Sequence, residues 1–320
     1  MLFIKKEEIS YIFDGKIIKR ELMRTPGHSL EQQYLTEKNW IYKENDIICL
    51  TYPKTGQTML LQMMNMIRSK GESTGSLLSE VVWPFRAELH CNDLENQPYN
   101  PRVFKSHRYF NYYNDKLKCK FIGIVRDPVK TLYSYRQFLS EMPHLNVFPT
   151  YYFFQIDWFV WYFFLLKNYN IYEFYAQYWA LKEREDVLIL CYEDVIEDPV
   201  LTIKIVAQFM EVKLTNEEIE KVKSKTSKEY MLTNSDLFNG KHEHEKAKEK
   251  GYDVYFSSIA KTVTSGQHQS TTKASSRSLR KLDNWWNERL ESKLGIKNYA
   301  DYRQKLKEFQ KGNIKYQVSE

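Results

Sequence analysis

The chain has 320 residues, enough for one large α/β domain or two small ones with a buried core. Charged residues make up 28% and hydrophobic residues 42%, which excludes a wholly disordered or fibrous protein. The net charge of +6 comes from 47 basic and 41 acidic side chains. Such a mild excess suits small anionic ligands and does not require nucleic acid as a partner.

The N-terminus and the cysteines favour a cytoplasmic protein. Charges begin at position 5, so the first residues lack the apolar core of a secretory signal peptide. Cys49, Cys91, Cys119 and Cys191 form no C-x-x-C pair, which is typical of reduced thiols. The longest apolar run, WFVWYFFLL at 158–166, is shorter than the about 20 residues of a membrane-spanning helix.

Four short apolar runs predict β-strands, and each is followed by polar residues. They are DIICLTY at 46–52, RVFKS at 102–106, FIGIV at 121–125 and VLILC at 187–191. Segments with helical periodicity or capping signals lie at 58–70, 128–139, 171–184, 199–210 and 215–225. Strands that alternate with helices predict an α/β fold, a single domain over 1–320 with a mainly parallel sheet flanked by helices. Ligands bind at the carboxyl ends of such strands, so the polar residues should meet there.

Two regions fall outside this alternation. Residues 239–278 are polar and rich in charge, and we interpret them as a mobile loop or lid within the domain. Residues 148–179 are dense in Phe, Tyr and Trp. They could form an apolar pocket for a ring-bearing small molecule or simply pack a helix on the sheet, and both alternatives stay open.

The segment TYPKTGQT at 51–58 joins the first predicted strand to a helix, where backbone N–H groups and the helix dipole favour an anion. Gly56 would allow close approach, Lys54 adds positive charge, and Thr55 and Thr58 add hydroxyl groups. The nucleotide-binding motif G-x-x-x-x-G-K-S/T does not fit, because this lysine precedes the glycine by two positions. An ordinary polar turn is the alternative.

Two further strand ends carry groups suited to phosphate and proton transfer. Arg126 could hold a second phosphate together with Ser134, since a guanidinium binds oxygens in a fork. His107, two residues after Lys105, could act as a general base while the lysine stabilises negative charge. A surface ion pair of Arg126 and a structural histidine are the competing interpretations. Tyr192, after the fourth strand, could pack against a purine.

The order TYPKTGQT, KSH, RDP followed by Ser134-Tyr135, and YED resembles the cytosolic sulfotransferases over about residues 40–232. This resemblance implies a P-loop-like fold and an enzyme that uses 3′-phosphoadenosine 5′-phosphosulfate (PAPS) and no metal. The sulfuryl group would pass to a hydroxyl or amine of a small molecule, with 3′,5′-ADP (PAP) as the other product.

Site residues follow from the resemblance by position. The 5′-phosphosulfate would be held by Lys54, Thr55, Gly56, Gln57 and Thr58. The 3′-phosphate would be bound by Arg126 and Ser134, and the adenosine contacted by Tyr192 and Thr226. The catalytic residues would be His107 as base, Lys54 and Lys105.

The chain also departs from the family pattern. Met59 stands where an adenine-stacking tryptophan is usual, and Gln57 replaces a usual threonine. Lys228 stands where a phenylalanine is common. The family's C-terminal R-K-G-x-x-G-x-W segment is not recognisable, and Arg277 is our candidate for its 3′-phosphate contact, with Lys273 and Arg280 as alternatives.

Several functional questions stay open at this level. The acceptor could be an aromatic or a cationic natural product that accepts on oxygen or nitrogen, and a homodimer is compatible with the sequence. The alternatives to a sulfotransferase are a small-molecule kinase that needs Mg²⁺, and a non-catalytic membrane-surface module built on 158–166. The HEHE run at 242–245 lacks the H-E-x-x-H spacing of a zinc site.

Overall fold

The computed structural model describes residues 40–84, 87, 93–113, 118–140, 170–249 and 274–317. Its sheet has four strands, which are β1 Ile47–Leu50, β2 Val103–Ser106, β3 Lys120–Val125 and β4 Val187–Cys191. All neighbours are parallel, in the order β2-β1-β3-β4. The prediction of an α/β fold with a parallel sheet is therefore confirmed, and each strand lies inside or within one residue of its predicted run.

Helices cover both faces of this sheet. Those in the described residues are α1 Gln57–Arg68, α2 Leu77–Glu80, α3 Pro128–Ser140, α4 Ile171–Leu181, α5 Tyr192–Glu197, α6 Pro199–Phe209, α7 Asn216–Thr226, α8 Lys228–Thr233, α9 Lys241–Glu249, α10 Ser276–Trp286 and α11 Tyr299–Lys311. α10 continues through a π-helical turn at Asn287–Glu291 and a short turn at Ser292–Leu294. Single 3₁₀ turns lie at Phe110–Tyr112, Ser235–Leu237 and Ile314–Tyr316.

Local sequence signals explain several helix starts. Thr215 and Glu218 form the reciprocal capping box that T-N-E-E predicts before α7. Asp198 accepts a hydrogen bond from the N–H of Leu201, and Pro199 occupies the first position of α6. These caps satisfy N–H groups that an α-helix cannot pair internally.

The core has two layers, because successive strand side chains point to opposite faces. Ile48 and Leu50 face a cluster that includes residues of α4, α10 and α11, such as Tyr172, Trp286 and Tyr302. Ile47 and Cys49 face a second cluster with residues of α1, α6 and α7. With both faces covered, the carboxyl edge of the strands is where polar side chains can gather.

Two predicted regions differ from the interpretation or lie partly outside the described residues. Within 239–278, Lys241–Glu249 is a helix, and its buried Glu243 accepts hydrogen bonds from Ser76 and Ser79. Residues 250–273 lie outside the described ranges, as do 148–169. The described part of the aromatic-rich segment, residues 170–179, includes most of α4. This helix buries Phe174 and its neighbours in the core against the sheet.

Candidate active site

The turn between β1 and α1 forms a cradle of backbone N–H groups. Lys54 has a φ of 68° and Gly56 a φ of 113°, both left-handed. Left-handed residues among right-handed ones turn successive N–H groups toward one point, an arrangement that binds anions. α1 begins at Gln57, and no side chain of the described residues caps its first turn. Its N–H groups are therefore oriented to donate to a phosphate or sulfate.

Gly56 is required by space as well as by conformation. A Cβ at this position would lie 2.5 Å from Cδ2 of Tyr192 and 3.5 Å from Cδ1 of Ile124. Tyr192, the first residue of α5, thus lies directly against the cradle, where the strand-end pattern predicts it. Met59 is half-buried in the first turn of α1 and packs on the same hydrophobic cluster as Tyr192.

Two side chains of the cradle are hydrogen-bonded to carbonyl groups of the protein. The Thr55 hydroxyl is fully buried and donates to the carbonyl of Tyr52 at 2.7 Å. The Gln57 amide is buried and donates to the carbonyls of Cys49 and Ser106. Of these two residues, only the backbone N–H groups are therefore left for the phosphosulfate contacts that the resemblance implies. Thr58 is half-buried in the first turn of α1.

His107 lies just beyond the end of β2 and is oriented by the neighbouring strand. Its Nδ1 is 2.9 Å from the carbonyl oxygen of Thr51, which follows β1. Because a carbonyl oxygen only accepts, Nδ1 carries the proton, and the lone pair of the neutral ring is on Nε2. This is the tautomer that a general base requires.

The surroundings of His107 hold it in the neutral form. Burial is the largest influence, and the positive charges of Lys105, Lys54 and Arg108 act in the same direction. Together they lower the pKa of His107 to about 3, although the carbonyl of Thr51 partly opposes them. At physiological pH the imidazole is therefore uncharged.

Trp83, which the sequence analysis did not single out, lies beside Lys105 of β2 and beside His107, which follows that strand. Val82 pairs with Phe104 of β2 in a parallel bridge, so the residue after it reaches the carboxyl edge of the sheet. The indole of Trp83 meets the His107 ring edge-on, with centroids 5.6 Å apart, and Lys105 Nζ lies 4.3 Å from its centroid. The apolar pair at 81–82 ahead of this tryptophan was the available signal of a short edge strand.

Arg126 lies at the end of β3 with its guanidinium over the Tyr192 ring, 4.5 Å from the centroid. Its backbone N–H donates to the Tyr175 hydroxyl at 3.0 Å, and that hydroxyl donates to the Arg126 carbonyl. Nη1 donates to the carbonyl of Lys54 at 3.1 Å. Nε is buried and has no hydrogen-bond partner among the described residues. A buried N–H without a partner, next to a cradle of N–H groups, fits an anionic ligand.

The remaining predicted residues lie on neighbouring helices. Ser134 is half-buried on α3, which begins after Arg126 and Asp127. The N–H of Ala274 donates to the Tyr133 hydroxyl at 2.6 Å, which connects the residue before the cap of α10 to α3. Arg277 is exposed in the first turn of α10. Thr226 ends α7, and its hydroxyl donates back to the carbonyl of Val222.

The described ranges contain neither a cluster of metal ligands nor a membrane-spanning helix. No three His, Cys, Asp or Glu side chains lie there in a group that could hold a metal ion. Of the HEHE run, Glu243 is bonded to two serines and His242 lies 3.9 Å from Glu245. No helix in the described part of the chain is long and apolar enough to cross a bilayer.

Comparison with known proteins identifies relatives of this arrangement. The family described as the sulfotransferase domain matches residues 44–270. The 3-beta-hydroxysteroid sulfotransferase of Cavia porcellus is 28% identical over 218 residues, which cover 65% of this chain and 73% of that protein. Sulfotransferase 1C2 of Homo sapiens is 25% identical over 244 residues, covering 69% and 77% respectively.

Solved structures share the fold. Mouse sulfotransferase SULT7A1 complexed with PAP superposes with a TM-score of 0.58 at 20% identity, covering 87% of this chain and 94% of that one. Retinol dehydratase in complex with retinol and PAP superposes with a TM-score of 0.57 at 15% identity, covering 88% and 92%. The chain belongs to the sulfotransferase domain family and is a PAPS-dependent enzyme that transfers sulfate to a small-molecule acceptor.

Proposed function

We propose that His107 is the general base of this transfer and removes the proton from the acceptor hydroxyl. The observation that supports it best is the contact between Nδ1 and the carbonyl of Thr51, because it assigns the lone pair to Nε2. The lowered pKa of His107 means that this lone pair is unprotonated at neutral pH.

We propose that the cradle and Arg126 hold the two ends of the donor. PAPS, when bound, supplies the sulfuryl group that is transferred. The N–H groups at the start of α1 bind its 5′-phosphosulfate. Arg126, whose Nε has no partner in the described part of the chain, donates to its 3′-phosphate together with Ser134. Arg277 completes this phosphate site, and the support for it is that the residue before the cap of its helix is bonded to Tyr133 of α3, the helix that carries Ser134.

The adenine would lie among three residues near the carboxyl edge. Tyr192 borders the cradle, and Met59 packs on the same cluster. Methionine can pack softly on a ring in place of the family's usual tryptophan. Thr226 offers its hydroxyl oxygen as an acceptor, since its proton is already donated within α7.

Two lysines provide the electrostatic contribution. The backbone of Lys54 is part of the cradle, and its positive charge lowers the pKa of His107. Its charge therefore acts on the base as well as on a donor bound in the cradle. Its ammonium, which lies 4.4 Å from the centroid of the Phe138 ring, would stabilise negative charge on the departing phosphate oxygen. Lys105, held over Trp83, stabilises charge on the acceptor oxygen as His107 takes its proton.

We further propose a neutral, ring-bearing alcohol or phenol as the acceptor. Trp83 presents an aromatic surface beside His107. The charged side chains that depress the pKa of His107 are all cations, so a cationic acceptor would be repelled. The names of a hydroxysteroid sulfotransferase and of retinol dehydratase bound to retinol point to ring-bearing acceptors in relatives.

A cytoplasmic location is part of the proposal. Cys49, Cys119 and Cys191 are free and buried in the structure. Thiols without disulfides are typical of proteins in a reducing compartment.

The test replaces the base and varies the acceptor. With a neutral phenol, His107→Ala should lower kcat by about 10² to 10⁴ and leave the Kd for PAP unchanged. His242→Ala, at an exposed histidine of α9, is the control and should keep both values. Wild-type enzyme should prefer the phenol to an aromatic amine cation of similar size. An unchanged kcat in His107→Ala, or an equal loss of PAP affinity, would contradict the role of the base.

A further inference from the structure

Gln57 has a side chain whose hydrogen bonds are directed away from the donor. It is the first residue of α1 and is only 5% exposed. Its Nε2 donates to the carbonyl of Cys49 at 3.0 Å and to the carbonyl of Ser106 at 2.8 Å. An amide nitrogen has two hydrogens, so both donors are used inside the protein. The side chain therefore links the strand ends of β1 and β2.

This link is one bond in a series that ends at the base. The carbonyl of Ser106 also accepts the N–H of Thr51, at 3.2 Å. The carbonyl of Thr51 in turn accepts Nδ1–H of His107, the residue after Ser106. Gln57 therefore holds the backbone of two strand ends. One is the end of β2, which His107 follows, and the other is the end of β1, which is followed by the Thr51 carbonyl that orients the imidazole.

We propose that Gln57 is a positioning residue for His107 that couples the phosphosulfate cradle to the base. Its backbone belongs to the cradle, and its side chain holds the end of β2. Cytosolic sulfotransferases usually have threonine at this position. Its hydroxyl is attached directly to Cβ, so it lacks the length by which the glutamine amide reaches the carbonyl of Ser106. The inference rests on the proposed role of His107 as the base.

The geometry predicts a selective loss of turnover when the amide is removed. Gln57→Met keeps the length and most of the volume of the side chain and removes both donors. The end of β2 is then held by one bond fewer, and a displacement of a base by about 1 Å can cost about 100-fold. We expect kcat to fall about 10- to 100-fold, with the KM for PAPS and the Kd for PAP unchanged.

Gln62 provides the matched control on the same helix. It is 3% exposed, and its Nε2 donates to the carbonyl of Lys225 at 3.2 Å, on the side of α1 that meets α7. Gln62→Met removes a buried amide bond without touching β2. It should lower the melting temperature while kcat stays at the wild-type value. Gln57→Thr is the second test variant, with the residue that the family usually has, and should also lose turnover.

A double-mutant cycle separates positioning from general destabilisation. If Gln57 acts through His107, adding Gln57→Met or Gln57→Thr to His107→Ala should change the residual kcat little. A loss that is undiminished in the His107→Ala background, or a parallel rise in the Kd for PAP, would overturn the inference. So would a wild-type kcat in both Gln57 variants. If His107→Ala itself keeps the wild-type kcat, the assignment of the base fails instead.

Discussion

Replacing Gly56 with alanine should damage both the fold and the donor site. At φ 113° an alanine is strained by about 1 to 2 kcal/mol. Its Cβ would also lie 2.5 Å from the Tyr192 ring, and such overpacking costs about 1 to 3 kcal/mol. The free energy of unfolding in urea should therefore fall by about 2 to 5 kcal/mol. Because the displaced Tyr192 also supports Arg126, the Kd for PAP should rise at least about tenfold.

Gly295 supplies the control for backbone strain alone. It has a φ of 67°, but an added Cβ would meet nothing within 4 Å. Gly295→Ala should cost only about 1 to 2 kcal/mol and leave the Kd for PAP unchanged. Tyr192→Leu in the Gly56→Ala background should recover part of the lost stability by removing the clash. Equal destabilisation of the two alanine variants, with unchanged PAP affinity in both, would refute the packing argument.

Two further predictions concern the charged groups. The pKa of His107 is about 3 in the folded protein, below the ordinary value of 6.5. Between pH 3 and pH 6.5 the unfolded state therefore binds more protons than the folded state, and the free energy of unfolding falls as the pH falls. Relative to His107→Gln, wild-type stability in urea should fall by about 2 kcal/mol between pH 7 and pH 5, and a constant difference would contradict the assignment. Arg126→Gln should raise the Kd for PAP about 10- to 100-fold in calorimetry, since charged hydrogen bonds are worth about 1.5 to 3 kcal/mol. The control is Arg184→Gln, which removes a guanidinium that is bonded to Asp186 just before the start of β4. This variant should leave the Kd for PAP unchanged.

The sequence by itself determined the strands, five of the eleven helices in the described residues and the positions of the polar residues at strand ends. These features depend on short-range chemistry: continuous apolar runs, the capping box at Thr215 and the proline after Asp198. Parallel strands then require their carboxyl ends to meet, which places the cradle, His107, Arg126 and Tyr192 at one edge.

Only the tertiary structure decided what those side chains contact. Gln57 bonds a carbonyl 49 residues away, and Trp83 meets His107 only because an edge segment pairs with β2. The helix Lys241–Glu249 is polar in sequence, but its buried Glu243 is held by serines more than 160 residues earlier. Periodicity and spacing describe one segment at a time, whereas a side-chain amide or carboxylate chooses its partner among groups that the fold brings together.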